Sequence, residues 1–282
     1  MTATATSTAT TTAAAPAPEL TTEEKLLAKR EGGVAHIIFN NQKKMNAVSL
    51  DRWERMIGLL EQYARDPDLR VLVVSGAGGK AFVSGADISK FEQQRSSPES
   101  VAKYGNTSLK AYETLFNFPK PTIAKIQGYC IGGGMNLGIC CDVRVATEGS
   151  KFGIPAGRLG LGYGFPGVHR LTEVVGISRA MEMFYTARQY TAREALDMGL
   201  INQMVADAEL DATVDTMTGQ IAENAPLTIA TIKAVAREIG KPSAERDHAK
   251  LDRMVQACFD SQDYIEGRNA FMEKRKPMFK GK

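Results

Sequence analysis

The stretch GYCIGGGMNLGICCDVRVA, residues 128–146, decides the fold. An apolar segment before it, Pro121–Ile126, reads as a buried strand, and Met135–Cys141 within it reads as a helix start. Between them stand Gly132, Gly133 and Gly134. The first turn of a helix leaves its N–H groups without intrahelical acceptors, and the helix dipole adds partial positive charge there. Glycines remove the Cβ atoms that would hold a ligand away. The device suits a phosphate or a developing oxyanion. A tight turn packing strand against helix would use the same residues. The spacing matches neither G-x-G-x-x-G, nor G-x-x-x-x-G-K-[ST], nor G-x-S-x-G.

A second stretch, GGKAFVSGADISKF at 78–91, repeats the arrangement. The apolar strand Val71–Ser75 runs into glycines and a polar turn. Two backbone devices behind two buried strands can converge on one oxygen. Asp87 in this turn reads either as a catalytic acid, which would need a partner within reach, or as a cap on the turn, and the cap is favoured.

In these two stretches the chain resembles the crotonase (enoyl-CoA hydratase/isomerase) superfamily. AFVSGADI and GYCIGGGMNLGICCD are similar to its two oxyanion-hole segments, FGIPAGRLGL at 152–161 to the segment that follows, and EGRNAFMEKRKPMFKG at 266–281 to its C-terminal signature. The resemblance runs from Lys25 to Lys282. It implies an α/β fold: a crotonase-type spiral of ββα turns stacking two roughly perpendicular sheets over 25–207, then a helical C-terminal subdomain over 208–282. It also implies an acyl-CoA substrate, a homotrimer or hexamer, and no metal or redox cofactor beyond the CoA moiety. The implied oxyanion donors are the N–H groups of Ala86 and Gly133. The implied CoA contacts are Lys44, Met45 and Ala47 in the polar loop 40–49, then Ser84, Ala86, Asp87 and Ile88, with Phe271 and Lys274 supplied by a neighbouring subunit.

The same resemblance implies two glutamates in the hydratases. Here those positions hold Asn136 and Ala156, and neither transfers a proton near neutral pH. Asn136 is suited to hold a water or a polar acyl group. Arg158, Tyr163 and His169 follow closely. The order L-G-x-x-Y-x-x-x-G-x-H from Leu159 to His169 resembles methylmalonyl-CoA decarboxylases of the same superfamily, although those carry a histidine where this chain has Ala86. Tyr163 and Arg158 are the expected substrate-specific contacts. A core tyrosine, a surface arginine and a structural histidine are the plainer alternatives. Three functions stay open: a lyase or isomerase of the hydratase type, ranked first, an acyl-CoA decarboxylase, and a non-catalytic acyl-CoA-binding protein.

The remaining features set bounds. The chain has 282 residues, 43% hydrophobic and 24% charged, which is ample for a core. A net charge of +3 does not argue for nucleic acid. Cys130, Cys140, Cys141 and Cys258 lie in apolar surroundings without C-x-x-C spacing and read as free thiols. Three histidines leave little for a His-rich metal site. Residues 1–24 form an Ala/Thr/Pro-rich tail, expected to be disordered, without the basic start and apolar core of a signal peptide. No apolar run is long enough to span a membrane, so a cytoplasmic location is expected.

Periodicity adds the rest. A strand is expected at Val34–Phe39, and a helix capped by Ser49 or Asp51 runs to about Ala64 on Trp53, Met56, Ile57, Leu60 and Tyr63. Residues 93–104 read as a polar, flexible segment before a helix at Thr107–Phe118. Val168–Ala187 reads as a helix interrupted near Gly176, and Thr191 with Glu194 has capping-box spacing. Beyond Asp207 helices are expected over 208–224, 226–239 and 242–275.

Overall fold

The computed structural model describes residues 25–87 and 97–282. The expected tail at 1–24 and the candidate contact Ile88 lie outside the described residues.

The chain opens with β1 (Leu26–Glu31) and β2 (Val34–Phe39), an antiparallel pair. Helix α1 (Leu50–Arg65) follows a 3₁₀ turn and buries Trp53, Met56, Ile57, Leu60 and Tyr63, the apolar stripe that the sequence shows. Three ββα units come next. The first is β3 (Val71–Gly76), β4 (Ala81–Val83) and α2 (Pro98–Phe116). The second is β5 (Thr122–Ile126), β6 (Tyr129–Ile131) and α3 (Gly133–Cys140). The third is β7 (Val143–Thr147), β8 (Lys151–Gly153) and the short α4 (Ala156–Leu159).

In each unit the first strand joins one sheet and the second joins another. The larger sheet has the order β1-β2-β3-β5-β7-β10, parallel apart from β1 against β2, with β10 at Gln203–Val205. The smaller has the order β4-β6-β8-β9, with β9 at Tyr190–Thr191 antiparallel to β8. This is the expected crotonase-type spiral, repeated in structure without a repeat in sequence.

Alternation along β3 shows where the cores sit. Leu72 and Val74 point into the main core, whereas Val71 and Val73 meet Leu210 and Val214 on the other face. Parallel strands covered on both faces read as unbroken apolar runs, and Val71–Val74 is one. Leu210 and Val214 belong to α8 (Leu210–Glu223), so the first helix of the all-helical segment closes the back of the larger sheet.

The later helices are α5 (Phe165–Val175), α6 (Ile177–Thr186), α7 (Ala192–Asp197), α9 (Pro226–Ile239), α10 (His248–Phe259) and α11 (Gln262–Glu273). Gly176 separates α5 from α6, and the Thr191–Glu194 capping box starts α7. Among the described residues no helix is long and apolar enough to cross a membrane.

Three local readings are corrected. The glycine run does not follow Pro121–Ile126 directly, because Gly128 (φ +75°) turns the chain out of the larger sheet and β6 intervenes. The polar residues from 97 are helical, since Ser97 and Ser100 form a capping box and Pro98 sits at the first helical position. The expected 242–275 helix breaks at Asp260–Ser261, where the Ser261 side chain accepts from Tyr264 N–H at 3.1 Å and starts a new helix.

Candidate active site

Strands β4 and β6 are parallel neighbours, with Ala81 paired to Tyr129 and Val83 to Cys130. Their chains therefore leave the smaller sheet at the same edge. From β4 comes Ser84-Gly85-Ala86-Asp87, and from β6 comes Gly132 followed by α3. The two segments touch: a Cβ built on Gly133 would lie 3.6 Å from Gly85 Cα. Gly134 makes the approach possible, because its own Cβ would lie 1.9 Å from the Val83 carbonyl oxygen.

The amide bookkeeping singles out two donors. Val48 N–H bonds Gly85 C=O at 2.9 Å, and Asp87 N–H bonds Val48 C=O at 3.0 Å. Ala86 N–H, between them, has no acceptor among the described residues. Gly133 opens α3, whose backbone bonds begin with Asn136 N–H to Gly132 C=O at 3.1 Å, so Gly133 N–H has no acceptor there either.

Both amides belong to the wall of one cavity of about 470 Å³. Asn136 lies one helical turn beyond Gly133 and also lines it. Across from it stands Tyr163, its ring edge-to-face on Phe184 at 5.0 Å. The Asn136 Oδ1 and the Tyr163 hydroxyl are buried, close to each other, and without an aligned hydrogen-bond partner among the described residues. Burial pushes the Tyr163 pKa up, so its hydroxyl stays neutral. Ala156, Pro155, Leu159 and Leu161 supply apolar wall. Arg170 reaches the wall from α5, with its guanidinium 3.7 Å from Cys140 Sγ and 4.7 Å over Phe116, and it has no carboxylate partner among the described residues. No Asp, Glu, His, Lys or Cys is among the described residues lining the cavity.

The sequence model of the enoyl-CoA hydratase/isomerase family matches residues 29–282. The chain belongs to that family. It is 35% identical over 256 residues to the crotonyl-CoA hydratase of Syntrophomonas wolfei, covering 91% of this chain and 98% of the relative. It is 32% identical over 263 residues to the carnitinyl-CoA dehydratase of Escherichia coli, covering 92% and 99%. A solved enoyl-CoA hydratase/carnitine racemase from Magnetospirillum magneticum superimposes with a TM-score of 0.88 at 34% identity, covering 92% of this chain and 96% of that one. The fold and the superfamily that the two glycine stretches implied are thus those of the chain.

Within this enoyl-CoA hydratase/isomerase fold, Ala86, Gly133, Asn136 and Tyr163 come together at one cavity, with Ser84 at its rim. Arg158 does not join them: it lies exposed on α4, and the arginine in the wall is Arg170. His169 also stays outside, stacked on Phe165 at 5.1 Å and 3.7 Å from Glu173. Asp87 is buried and forms an ion pair with Lys44 at 3.2 Å, tying loop 40–49 to the turn below Ala86. Met45 C=O accepts from Ser84 N–H at 3.1 Å, and Met45 lines a smaller recess of about 250 Å³ with Lys43 and Lys80. Ala47 is buried beneath the loop, its carbonyl accepting from Asn41 and Arg52. Phe271 and Lys274 are exposed and do not line this cavity, and Phe271 instead lines another of about 620 Å³ among the C-terminal helices. Among the described residues no cluster of three His, Cys, Asp or Glu side chains could hold a metal.

Sequence reading missed Tyr112 and Arg170, both in the cavity wall. Tyr112 sits at a position indistinguishable by periodicity from any core tyrosine of an amphipathic helix.

Proposed function

We propose that this chain is an acyl-CoA enzyme of the hydratase/isomerase type that binds a thioester carbonyl between Ala86 N–H and Gly133 N–H and stabilises the enolate formed there. The observation that supports it is a pair of backbone amides without acceptors among the described residues, on two residues that line one cavity, with the positive end of α3 behind one of them. Donors fixed before reaction stabilise developing charge without reorganising. The CoA moiety runs along loop 40–49, where Lys44, Met45, Ala47, Ser84 and Asp87 cluster, and Phe271 and Lys274 complete the nucleotide site in a homotrimer or hexamer. A cytoplasmic location suits a chain whose cysteines are free thiols.

The lack of carboxylates in the described wall favours a second reading, decarboxylation of a malonyl-type thioester. Hydration adds hydroxide to Cβ and a proton to Cα, and so needs a base and an acid. Decarboxylation breaks the Cα–carboxylate bond, places the electron pair on the enolate oxygen and releases carbon dioxide. Water then protonates Cα. The first step needs only the two amides and a pocket that orients the carboxylate, and Tyr163, Asn136 and Arg170 supply such a pocket.

Mass spectrometry of products from crotonyl-, branched enoyl-, malonyl- and methylmalonyl-CoA tests both. A gain of one water supports hydratase chemistry, and loss of carbon dioxide supports the second reading. Tight binding with no product across the panel would leave a binding protein. Introducing N136E with A156E should raise crotonyl-CoA hydration if the missing carboxylates alone limit it.

A further inference from the structure

Helix α2 runs beside the cavity, bonds Gly133 directly and reaches the turn carrying Ala86 through Val48. Near its start, the Tyr104 hydroxyl accepts from Trp53 Nε1–H at 3.0 Å and donates to Val48 C=O at 2.9 Å. That carbonyl also receives Asp87 N–H, the bond that fixes the turn carrying Ala86. Eight residues on, about 12 Å along the axis, the Tyr112 hydroxyl donates to Gly133 C=O at 3.1 Å. The same hydroxyl lies 3.0 Å from where a Gly133 Cβ would stand, so it fills the space a side chain would otherwise occupy. Trp53 joins the two, edge-to-face on Tyr112 at 5.0 Å.

Both amides adjoin glycines. Gly133 follows Gly132, whose φ is +56°, and two successive residues without Cβ atoms have the widest backbone freedom available. Ala86 follows Gly85, whose φ is +113°. A donor shifted by a few tenths of an ångström bonds the oxyanion less strongly. Each segment is braced further by a tyrosine of the same helix, the Ala86 turn through Val48 C=O and Gly133 at its own carbonyl.

We propose that Tyr104 and Tyr112 are positioning residues that hold Ala86 N–H and Gly133 N–H at their working separation, making α2 the ruler of the oxyanion hole. The proposal rests on the enolate-stabilising reading above. Burial holds the Tyr112 phenol neutral well beyond the ordinary range, so its donor role is constant with pH.

The test is infrared spectroscopy of butyryl-CoA carrying ¹³C at the thioester carbonyl, bound to the wild type and to Y104F, Y112F and the double variant. Carbonyl polarisation lowers the stretching frequency. The expected result is a wild-type downshift that falls by half or more in each single variant and further in the double. Calorimetric affinity for butyryl-CoA should change less than about threefold, since the CoA contacts are untouched. For any acyl-CoA that is turned over, kcat should fall about tenfold with KM nearly unchanged, roughly what loss of one buried hydrogen bond allows. Tyr63→Phe, a buried tyrosine outside the site, should change none of these. Two results overturn the proposal alone: variants that retain the full wild-type downshift and kcat, or variants in which affinity, shift and melting temperature fall together. A wild type that binds butyryl-CoA with no downshift refutes the hole, and this proposal with it.

Discussion

Gly134→Ala adds one methyl group at the closest approach of α3 to β4. The new Cβ would lie 1.9 Å from the Val83 carbonyl oxygen, 2.7 Å from its carbonyl carbon and 2.9 Å from its Cβ. Two of these atoms are backbone of a strand paired to β6, so no rotamer change relieves the clash. Ordinary contact starts near 3.4 Å, so helix and strand must separate by about 1.5 Å. Overpacking of this kind costs about 1–3 kcal/mol, a fall of roughly 2–10 °C in melting temperature for a chain of this size. The functional loss should be larger. Gly133 is the adjacent residue and moves with the helix start, and a displacement near 1 Å can cost about 10²-fold in rate. Circular dichroism melts, with turnover of the best acyl-CoA substrate, measure both effects. Gly138→Ala is the control, because its Cβ would meet Cys130 Sγ at 3.6 Å and Ile126 Cδ1 at 3.8 Å, both ordinary contacts. In a helix interior that change should stabilise by about 0.5–1 kcal/mol and leave turnover intact. A G134A enzyme as stable and active as wild type would refute the reasoning, as would a G138A enzyme damaged equally.

Tyr163→Phe should raise the melting temperature by about 2 °C, because it removes a buried hydroxyl with no aligned partner among the described residues, about 1 kcal/mol, while lowering turnover of an acyl group bearing a polar substituent. Asp142 bonds Lys233 at 2.7 Å, Arg237 at 2.8 Å and the Thr122 hydroxyl at 2.9 Å, so D142N should cost about 2 kcal/mol in urea titrations by stranding two partly buried cations. Burial raises the Cys140 pKa from its ordinary 9.0 to about 11 and raises those of Cys130 and Cys141 further. The unfolded chain then releases these protons first, so their contribution to stability is whole below pH 9 and is lost as pH climbs through 11 and beyond. Unfolding free energies from urea titrations between pH 8 and pH 11 should fall by up to about 1.4 kcal/mol per pH unit per thiol. In the native protein a thiol reagent at pH 8 should reach Cys258 alone.

How much the sequence discloses depends on element length. Helix α1 and strand β3 are long enough for a period to show, and Trp53, Met56, Leu60 and the Val71–Val74 run identify them at sight. Strands β4, β6 and β8 have three residues each, fewer than two periods of alternation, so the smaller sheet is invisible to periodicity although it carries the site. The residues 97–100 look like loop in composition, and only the pairing of Ser97 with Ser100 makes them a helix start. That Ala86, Gly133 and Asn136 stand at one cavity was legible because the signal is local: a glycine run, a turn, a position. Arg158 and Arg170 were not separable, since exposure on α4 against a place in the wall from α5 depends on how two helices lie across a cavity.

That both free donors belong to the main chain bears on how such a site changes over generations. A codon change at position 86 replaces a side chain and leaves its N–H where it was, unless the new residue is proline. The atoms proposed to meet the thioester are therefore nearly out of reach of point mutation, whereas Asn136, Ala156, Tyr163 and Arg170 can be exchanged one at a time. A lineage can lose its carboxylates and still form an enolate, and descent with the hole intact leaves the second half of the reaction open to selection.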